Sequence, residues 1–258
     1  MVGKFNAQSL IMETFGTFLI CFFGGLVTLD NNNIISVSLV SAIIVFIVIH
    51  IGGDISGGYY NPAITFAFFI SKYNNYKITL CYLVVQIIGS VLAGIILLVK
   101  IPETEGLGYP KPPLDSNLAK VFIYETSATF VLVLTMFFNI KTKKGSTISG
   151  LFSSLIVLMS ILSIGPVTGG SLNPARSLGP SIIDGNFLFY GFWIYLTAPF
   201  LGGLLGAVYF EYVLRDNLQL IENSLSADFT ETKGLKDSIL IENDKIQCLT
   251  NDWQWSIL

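Results

Sequence analysis

Apolar residues occur along this chain in long runs that are separated by short polar stretches. Six of the runs cover roughly residues 9–29, 35–51, 78–99, 119–140, 147–165 and 188–213. A helix needs about 20 apolar residues to cross the hydrocarbon core of a bilayer. The pattern therefore predicts an all-α membrane protein with six transmembrane helices.

Two further apolar segments, 61–70 and 173–183, are about half as long, and each begins with Asn-Pro-Ala. Asparagine is a favoured N-cap, and proline suits the first helical position because its missing N–H is not needed there. About ten residues make a helix of about 15 Å, half the bilayer core. We therefore expect two re-entrant half-helices that start at Asn61, Pro62 and Ala63 and at Asn173, Pro174 and Ala175.

The two halves of the chain repeat one another. Asn61 and Asn173 are 112 positions apart, and Glu13 and Glu125 have the same spacing. Each copy contains three spans, so the second copy must enter the membrane inverted relative to the first. Inverted repeats place their functional site near the midplane, at interrupted segments in matching positions.

We expect four regions along the chain. They are the first repeat at 1–100, an extracellular loop rich in Pro and Gly at 101–118, the second repeat at 119–215 and an acidic tail at 216–258. The inverted symmetry brings the N-termini of the two half-helices together at the midplane. Non-helical backbone at that depth is tolerated only where it is buried in protein or lines a watery cavity.

Composition and charge exclude several classes of protein. The chain has 258 residues, of which 52% are hydrophobic and 12% are charged, about half the charged fraction of a soluble domain. A net charge of −3 does not suggest a nucleic-acid partner. The three cysteines are far apart, which indicates neither a disulfide framework nor a metal site. No nucleophile–base cluster occurs, so we expect no enzyme and no cofactor.

The distribution of basic residues predicts the orientation. Six spans put both termini on the same side of the membrane. With the N-terminus inside, seven lysines and arginines of the spans and short loops lie inside and three lie outside. This excess fits cytoplasmic termini by the positive-inside rule. It does not distinguish a plasma membrane from an intracellular vacuole membrane.

At these motifs the chain resembles the aquaporin, or major intrinsic protein, family. The match covers roughly residues 8–213 and includes "ISGGYYNPAITF" and "NPARSLGP". The resemblance implies the aquaporin fold, a homotetramer with one pore per subunit, and passive passage of water and small neutral solutes with exclusion of protons and ions. It also implies that Asn61 and Asn173 hold the oxygen of a passing molecule. The alternative is that each asparagine only caps its helix.

Three charged residues at membrane depth have roles implied by the same resemblance. Arg176 lies three positions after Asn173, where the first copy has Ile64, and it matches the arginine of the family's selectivity filter. The alternative is an arginine that snorkels or pairs with a loop carboxylate. Glu13 and Glu125 match glutamates that brace the two motif loops. The rival interpretation is proton coupling in a secondary transporter.

Counting along the family pattern places Ser41, Ile161 and Gly170 beside Arg176 in the filter. Strict water channels have an aromatic ring at the first of these positions and a histidine at the second. Both are missing here, so we expect a wider and less polar ring that admits solutes such as glycerol or urea.

Other marker positions are mixed. Ser177, Ser181 and Tyr195 resemble water-type members and Leu196 resembles glycerol-type members, which keeps a strict water channel as an alternative. A proton-coupled transporter and a non-conducting membrane-junction protein are alternatives of other classes.

The tail, 216–258, is predicted to be mostly disordered and cytoplasmic because it has eight acidic residues against three lysines. It ends in "WSIL", a weak pattern for a ligand that adds a strand to a partner. A cytoplasmic tail-binding protein is therefore a further expected partner.

Overall fold

Six long apolar helices form the body of the protein in a computed structural model. The structure describes residues 2–30, 33–100, 106–142 and 145–215. All six helices are long and apolar enough to cross a membrane, which confirms the six predicted spans. They are α1 (Ala7–Asp30), α2 (Ile34–Ser56), α4 (Tyr76–Lys100), α5 (Leu118–Lys141), α6 (Ser146–Thr168) and α8 (Phe192–Tyr209).

Two short helices, α3 (Pro62–Ile70) and α7 (Pro174–Ile183), begin where the half-helices were expected. The side chain of Asn61 accepts a hydrogen bond from the backbone N–H of Ala63, and Asn173 accepts one from Ala175. A proline follows each asparagine at the start of the helix. The predicted N-caps are therefore confirmed.

The bounds of three spans differ from the sequence prediction. The second span was expected to end near 51, but α2 continues to Ser56, before a glycine in the left-handed region. The last span was expected from about 188, but α8 begins at Phe192 after Gly191, whose φ is 79°. Leu188 is 77% exposed in the connection from α7. The fifth span was expected to end near 165, but α6 continues to Thr168 and stops at Gly169 in the left-handed region. Glycine adopts that conformation at little cost, and hydropathy does not detect such an end.

Helix packing has the same two-fold relation as the sequence. If each helix of α1–α4 is replaced by its counterpart in α5–α8, and the reverse, every packed pair of helices is again a packed pair. The pair α1·α4 becomes α5·α8, α1·α2 becomes α5·α6, and α4·α7 becomes α8·α3, while α2·α6 becomes itself. Each half-helix thus packs against the last long helix of the other repeat.

Matching glycines allow two of these helix pairs to approach closely. A Cβ added to Gly89 would clash with the backbone oxygen of Thr14, and one added to Gly202 would clash with that of Thr126. The two pairs are related by spacings of 113 and 112. Small residues at a crossing let the backbones of membrane helices pack tightly.

Large apolar side chains cover the outer faces of the long helices. Ile11 on α1, Leu80 and Val84 on α4 and Ile123 on α5 are each 58% exposed or more. Such a surface is suited to contact with lipid or with neighbouring membrane helices, because it would be costly to leave in water. The protein is therefore an integral, multi-pass membrane protein.

This fold lies within the first of two contact-defined units, Met1–Tyr212. A short π-helical segment, Phe210–Leu214, follows α8. Part of the predicted outer loop, 101–105, and the predicted acidic tail, 216–258, lie outside the described residues.

Candidate functional site

The two half-helices meet at their N-termini, and the asparagine side chains connect them. Nδ2 of Asn61 donates to the backbone oxygen of Leu172 at 2.9 Å. Nδ2 of Asn173 donates to the backbone oxygen of Tyr60 at 2.9 Å. Each asparagine therefore caps its own helix through Oδ1 and binds the facing loop through Nδ2.

The residue before each asparagine has an unusual backbone conformation. Tyr60 has a φ of 47° and Leu172 a φ of 55°, although neither is glycine. Such conformations persist only where the surroundings fix them, and they occur often at functional sites. Sequence reasoning predicted neither conformation, and the matching position of the two residues before Asn-Pro-Ala is the one signal that could have suggested it.

Glu13 and Glu125 fix these loops. Oε1 of Glu13 accepts the backbone N–H of Tyr59 at 3.1 Å, and Oε2 accepts that of Tyr60 at 2.7 Å. Glu125 accepts the corresponding N–H groups of Ser171 at 3.0 Å and Leu172 at 2.8 Å. Both glutamates are fully buried. They bind the backbone at the positions where the loops depart from regular structure.

The first glutamate has two further donors. The hydroxyl of Ser56 donates to Oε1 of Glu13 at 2.6 Å, and Nε2 of Gln86 donates to Oε2 at 2.8 Å. A carboxylate accepts through both oxygens and has no proton to donate. Each oxygen of Glu13 accepts two of the four hydrogen bonds, so the carboxylate satisfies all four donors.

A cavity passes both asparagines and is lined by residues of both repeats. Four of the lining residues are those that the resemblance to the family placed in the filter: Ser41, Ile161, Gly170 and Arg176. The structure therefore brings the whole predicted filter together. The markers Ser177, Ser181 and Tyr195 are buried, but they are not among the residues that line this cavity.

A wider vestibule of about 540 Å³ opens beyond Arg176. Tyr109, Pro110 and Lys111 from the loop before α5 form part of its wall. The hydroxyl of Tyr109 donates to Oδ2 of Asp184 at 2.9 Å, which holds this loop against the end of α7. Burial raises the pKa of Tyr109, so the hydroxyl stays a neutral donor. Because Arg176 lines both the vestibule and the inner cavity, it marks the junction between them.

Two polar atoms at this junction have no partner within the described parts of the chain. They are Nε of Arg176 and Oγ of Ser41, both buried. Buried polar groups are normally hydrogen-bonded, so a site that leaves them free is suited to a polar visitor. On its other side, the guanidinium packs against Gly24 of α1, where an added Cβ would clash with Nη1.

Comparison with known proteins agrees with this arrangement. The model of the family described as "Major intrinsic protein" matches residues 3–210. The chain is 32% identical over 235 residues to nodulin-26 of Glycine max, covering 88% of this chain and 85% of that protein. It is 35% identical over 187 residues to aquaporin TIP2-1 of Arabidopsis thaliana, covering 70% and 73% of the two chains.

One solved structure has the same fold. It is the X-ray structure of the aquaglyceroporin from Plasmodium falciparum, with a TM-score of 0.76. The superposition covers 83% of this chain and 98% of that one, at 20% sequence identity. At this identity the likeness shows the fold alone.

We expect Glu13→Ala to impair assembly more than Glu125→Ala. The first change removes the acceptor for four donors, whereas the second removes the acceptor for three, the backbone N–H groups of Ser171 and Leu172 and the side chain of Thr168. Each buried donor left unpaired costs about 1–3 kcal/mol. The measurement is the yield of monodisperse protein and its melting temperature in detergent.

Asp115→Ala, at an exposed carboxylate of the loop before α5, is the matched control and should leave both quantities unchanged. Equal melting temperatures for Glu13→Ala and the native protein would contradict the bracing role.

Proposed function

Since the chain belongs to the major intrinsic protein family, we propose that it is a passive channel for water and small neutral solutes. The observation that carries the proposal is the cavity that passes Asn61 and Asn173 and meets the vestibule at Arg176. Members of this family are channels and not enzymes. Several relatives have "aquaporin" in their names and the structural neighbour is an aquaglyceroporin, which supports water and glycerol as candidate permeants.

The two asparagines provide the binding point at the centre of the pore. A side-chain amide has two N–H donors. One N–H of each asparagine is donated to the facing loop, and the second is available to the oxygen of a permeating molecule. The crossed hydrogen bonds also hold the amides in a fixed orientation. Capping and binding are therefore compatible roles for Asn61 and Asn173.

The ends of the half-helices oppose cations. Each helix N-terminus carries a partial positive charge, and α3 and α7 direct theirs to the same point. Arg176 adds a full positive charge at the junction with the vestibule. A cation entering the narrow part must lose its water and meet this potential, whereas a neutral molecule meets only hydrogen-bond donors.

The composition of the ring favours small polyols as well as water. Ile161 forms an apolar wall, while Ser41 and Arg176 offer polar atoms that have no partner among the described residues. A polyol has a carbon side and a hydroxyl side, so it fits such a ring. The water-type markers do not oppose this proposal, because they do not line the cavity.

The hydrogen bonds of Glu13 argue against the proton-coupled transporter. A proton carrier must bind a proton on an oxygen that then needs an acceptor. Three of the four groups that bind Glu13, the two backbone N–H groups and the amide nitrogen of Gln86, can only donate. Glu125 has the same arrangement. A strict water channel remains the second candidate, and the solute assay below distinguishes it.

The remaining proposals concern topology and assembly. Both termini are cytoplasmic, as the excess of basic residues on that side predicts. The chain assembles as a homotetramer, for which the exposed apolar faces of the long helices supply contact surface. A cytoplasmic partner for the tail is proposed from sequence alone.

The test of the function is stopped-flow light scattering of proteoliposomes under water, glycerol and urea gradients. We expect fast osmotic water flow, together with glycerol or urea uptake that is faster than in empty vesicles. Water flow with no solute uptake would favour the strict water channel. Flux that depends on a pH gradient would favour the transporter.

Arg176→Val should let cations or protons leak while water flow stays largely intact. The change removes the positive charge at the junction and leaves a smaller, apolar side chain in its place. The measurement is cation current in oocytes that express the variant, with Lys120→Val at an exposed site of α5 as the control. If neither Arg176→Val nor the native protein gives a cation current, Arg176 is not the ion barrier.

The double variant Ser41→Phe with Ile161→His should stop glycerol and spare water. It narrows the ring and replaces the apolar wall with a hydrogen-bonding group. Parallel glycerol and water permeabilities in proteoliposomes provide the check. A double variant that still conducts glycerol would mean that these two residues do not form the constriction.

A further inference from the structure

The residues that line the cavity pair up through the repeat. At a spacing of 112, each of eight lining residues in the first repeat has its counterpart in the second repeat lining the same cavity. The pairs are Ile20 and Leu132, Ser41 and Ser153, Val45 and Val157, Ile49 and Ile161, Tyr59 and Ser171, Tyr60 and Leu172, Asn61 and Asn173, and Ile64 and Arg176. The cavity therefore has two ends related by the inverted repeat.

The outer ring thus has an inner counterpart. Ser41, Ile161 and Arg176 correspond to Ser153, Ile49 and Ile64. The inner set lies on α2, α3 and α6, and like the outer set it contains a serine and an isoleucine at the matching positions. The two sets differ at one position, where the outer ring has the charged Arg176 and the inner ring has the aliphatic Ile64.

A second exchange accompanies the first. Gly24 of α1 lies against Arg176, and a Cβ there would clash with the guanidinium. The counterpart of Gly24 is Met136 of α5, and this methionine lines the cavity. The helix pairs agree with this relation, because α1 packs on α7 as α5 packs on α3. Where the outer ring has glycine beside arginine, the inner ring has methionine beside isoleucine.

Met136 is held in place by the inner serine. The hydroxyl of Ser153 donates to Sδ of Met136 at 3.2 Å, and both residues are 1% exposed. The counterpart hydroxyl, on Ser41, has no partner among the described residues. The inner serine is thus occupied by a neighbour, whereas the outer serine is available to a permeant. The inner ring therefore presents an apolar surface.

From these relations we propose that Ile49, Ile64, Met136 and Ser153 form a second, inner specificity ring, whose width is set by Met136. The proposal rests on the channel function proposed above. A permeant that has exchanged water for the polar groups of the outer ring and the asparagines meets no charged group here. Passage through the inner ring is then limited by size and by the loss of hydrogen bonds.

Shortening Met136 should change selectivity more than water flow. Met136→Ala removes the thioether that fills the inner ring and leaves Ser153 with a free hydroxyl. We expect the glycerol-to-water permeability ratio to rise severalfold and erythritol, a longer polyol, to enter faster than in native vesicles. Stopped-flow light scattering of proteoliposomes measures all three permeabilities on the full chain.

Met159→Ala is the matched control, because this methionine is 51% exposed on α6 and does not line the cavity. It should leave the ratio at its native value. Met136→Val, which removes less volume, serves if Met136→Ala does not assemble, and it should change the ratio in the same direction by less. Gly24→Ala provides the opposite change at the outer ring, where displacement of Arg176 should lower the ratio.

The outcomes separate the two proposals. Native vesicles without fast water flow would refute the channel function itself. Conducting native vesicles with an unchanged or lowered ratio in the assembled Met136 variant would refute the inner ring while leaving the channel function intact. A ratio that rises equally in Met159→Ala would also refute it, because the change would then not depend on the cavity.

Discussion

The structure depends on satisfying two stretches of non-helical backbone at membrane depth. In a bilayer, an unpaired N–H group costs several kcal/mol, so such loops need acceptors within the protein. Glu13 and Glu125 supply these acceptors, and the amides of Asn61 and Asn173 bind the loop carbonyls. The half-helices can meet at the centre only because these groups replace the water that the loops would otherwise bind.

Much of this fold could be predicted from the sequence, because each part has a local or periodic signal. Six apolar runs predicted the spans, and Asn-Pro-Ala predicted the starts of α3 and α7. The resemblance to the major intrinsic proteins, confirmed by the family model, selected four residues that all line one cavity. The ends of α2 and α6 and the start of α8 were less predictable, since glycines in the left-handed region determine them rather than hydropathy.

Other features depend on contacts between distant residues and have no local signal. The donation of each asparagine amide to the facing loop joins residues that are 111 and 113 positions apart. The left-handed Tyr60 and Leu172 break the usual preference for glycine. Sequence reasoning also gave weight to Ser177, Ser181 and Tyr195, although these residues do not line the cavity. Their hydroxyls bind within the protein, to Ser171, to the backbone of Leu178 and to that of Thr168.

The two halves of the repeat differ at matching positions, which gives the pore two unlike ends. Identical rings would place two arginines along one narrow path, and the burial of each charge is costly. The second repeat has the arginine, and the facing helix has Gly24, which leaves room for it. The first repeat has Ile64 at the position of the arginine. Met136 stands at the position that matches Gly24, and Ser153 donates a hydrogen bond to its sulfur. Charge and volume therefore differ together at matching positions, and this pairing lets a symmetric framework contain one polar ring and one apolar ring.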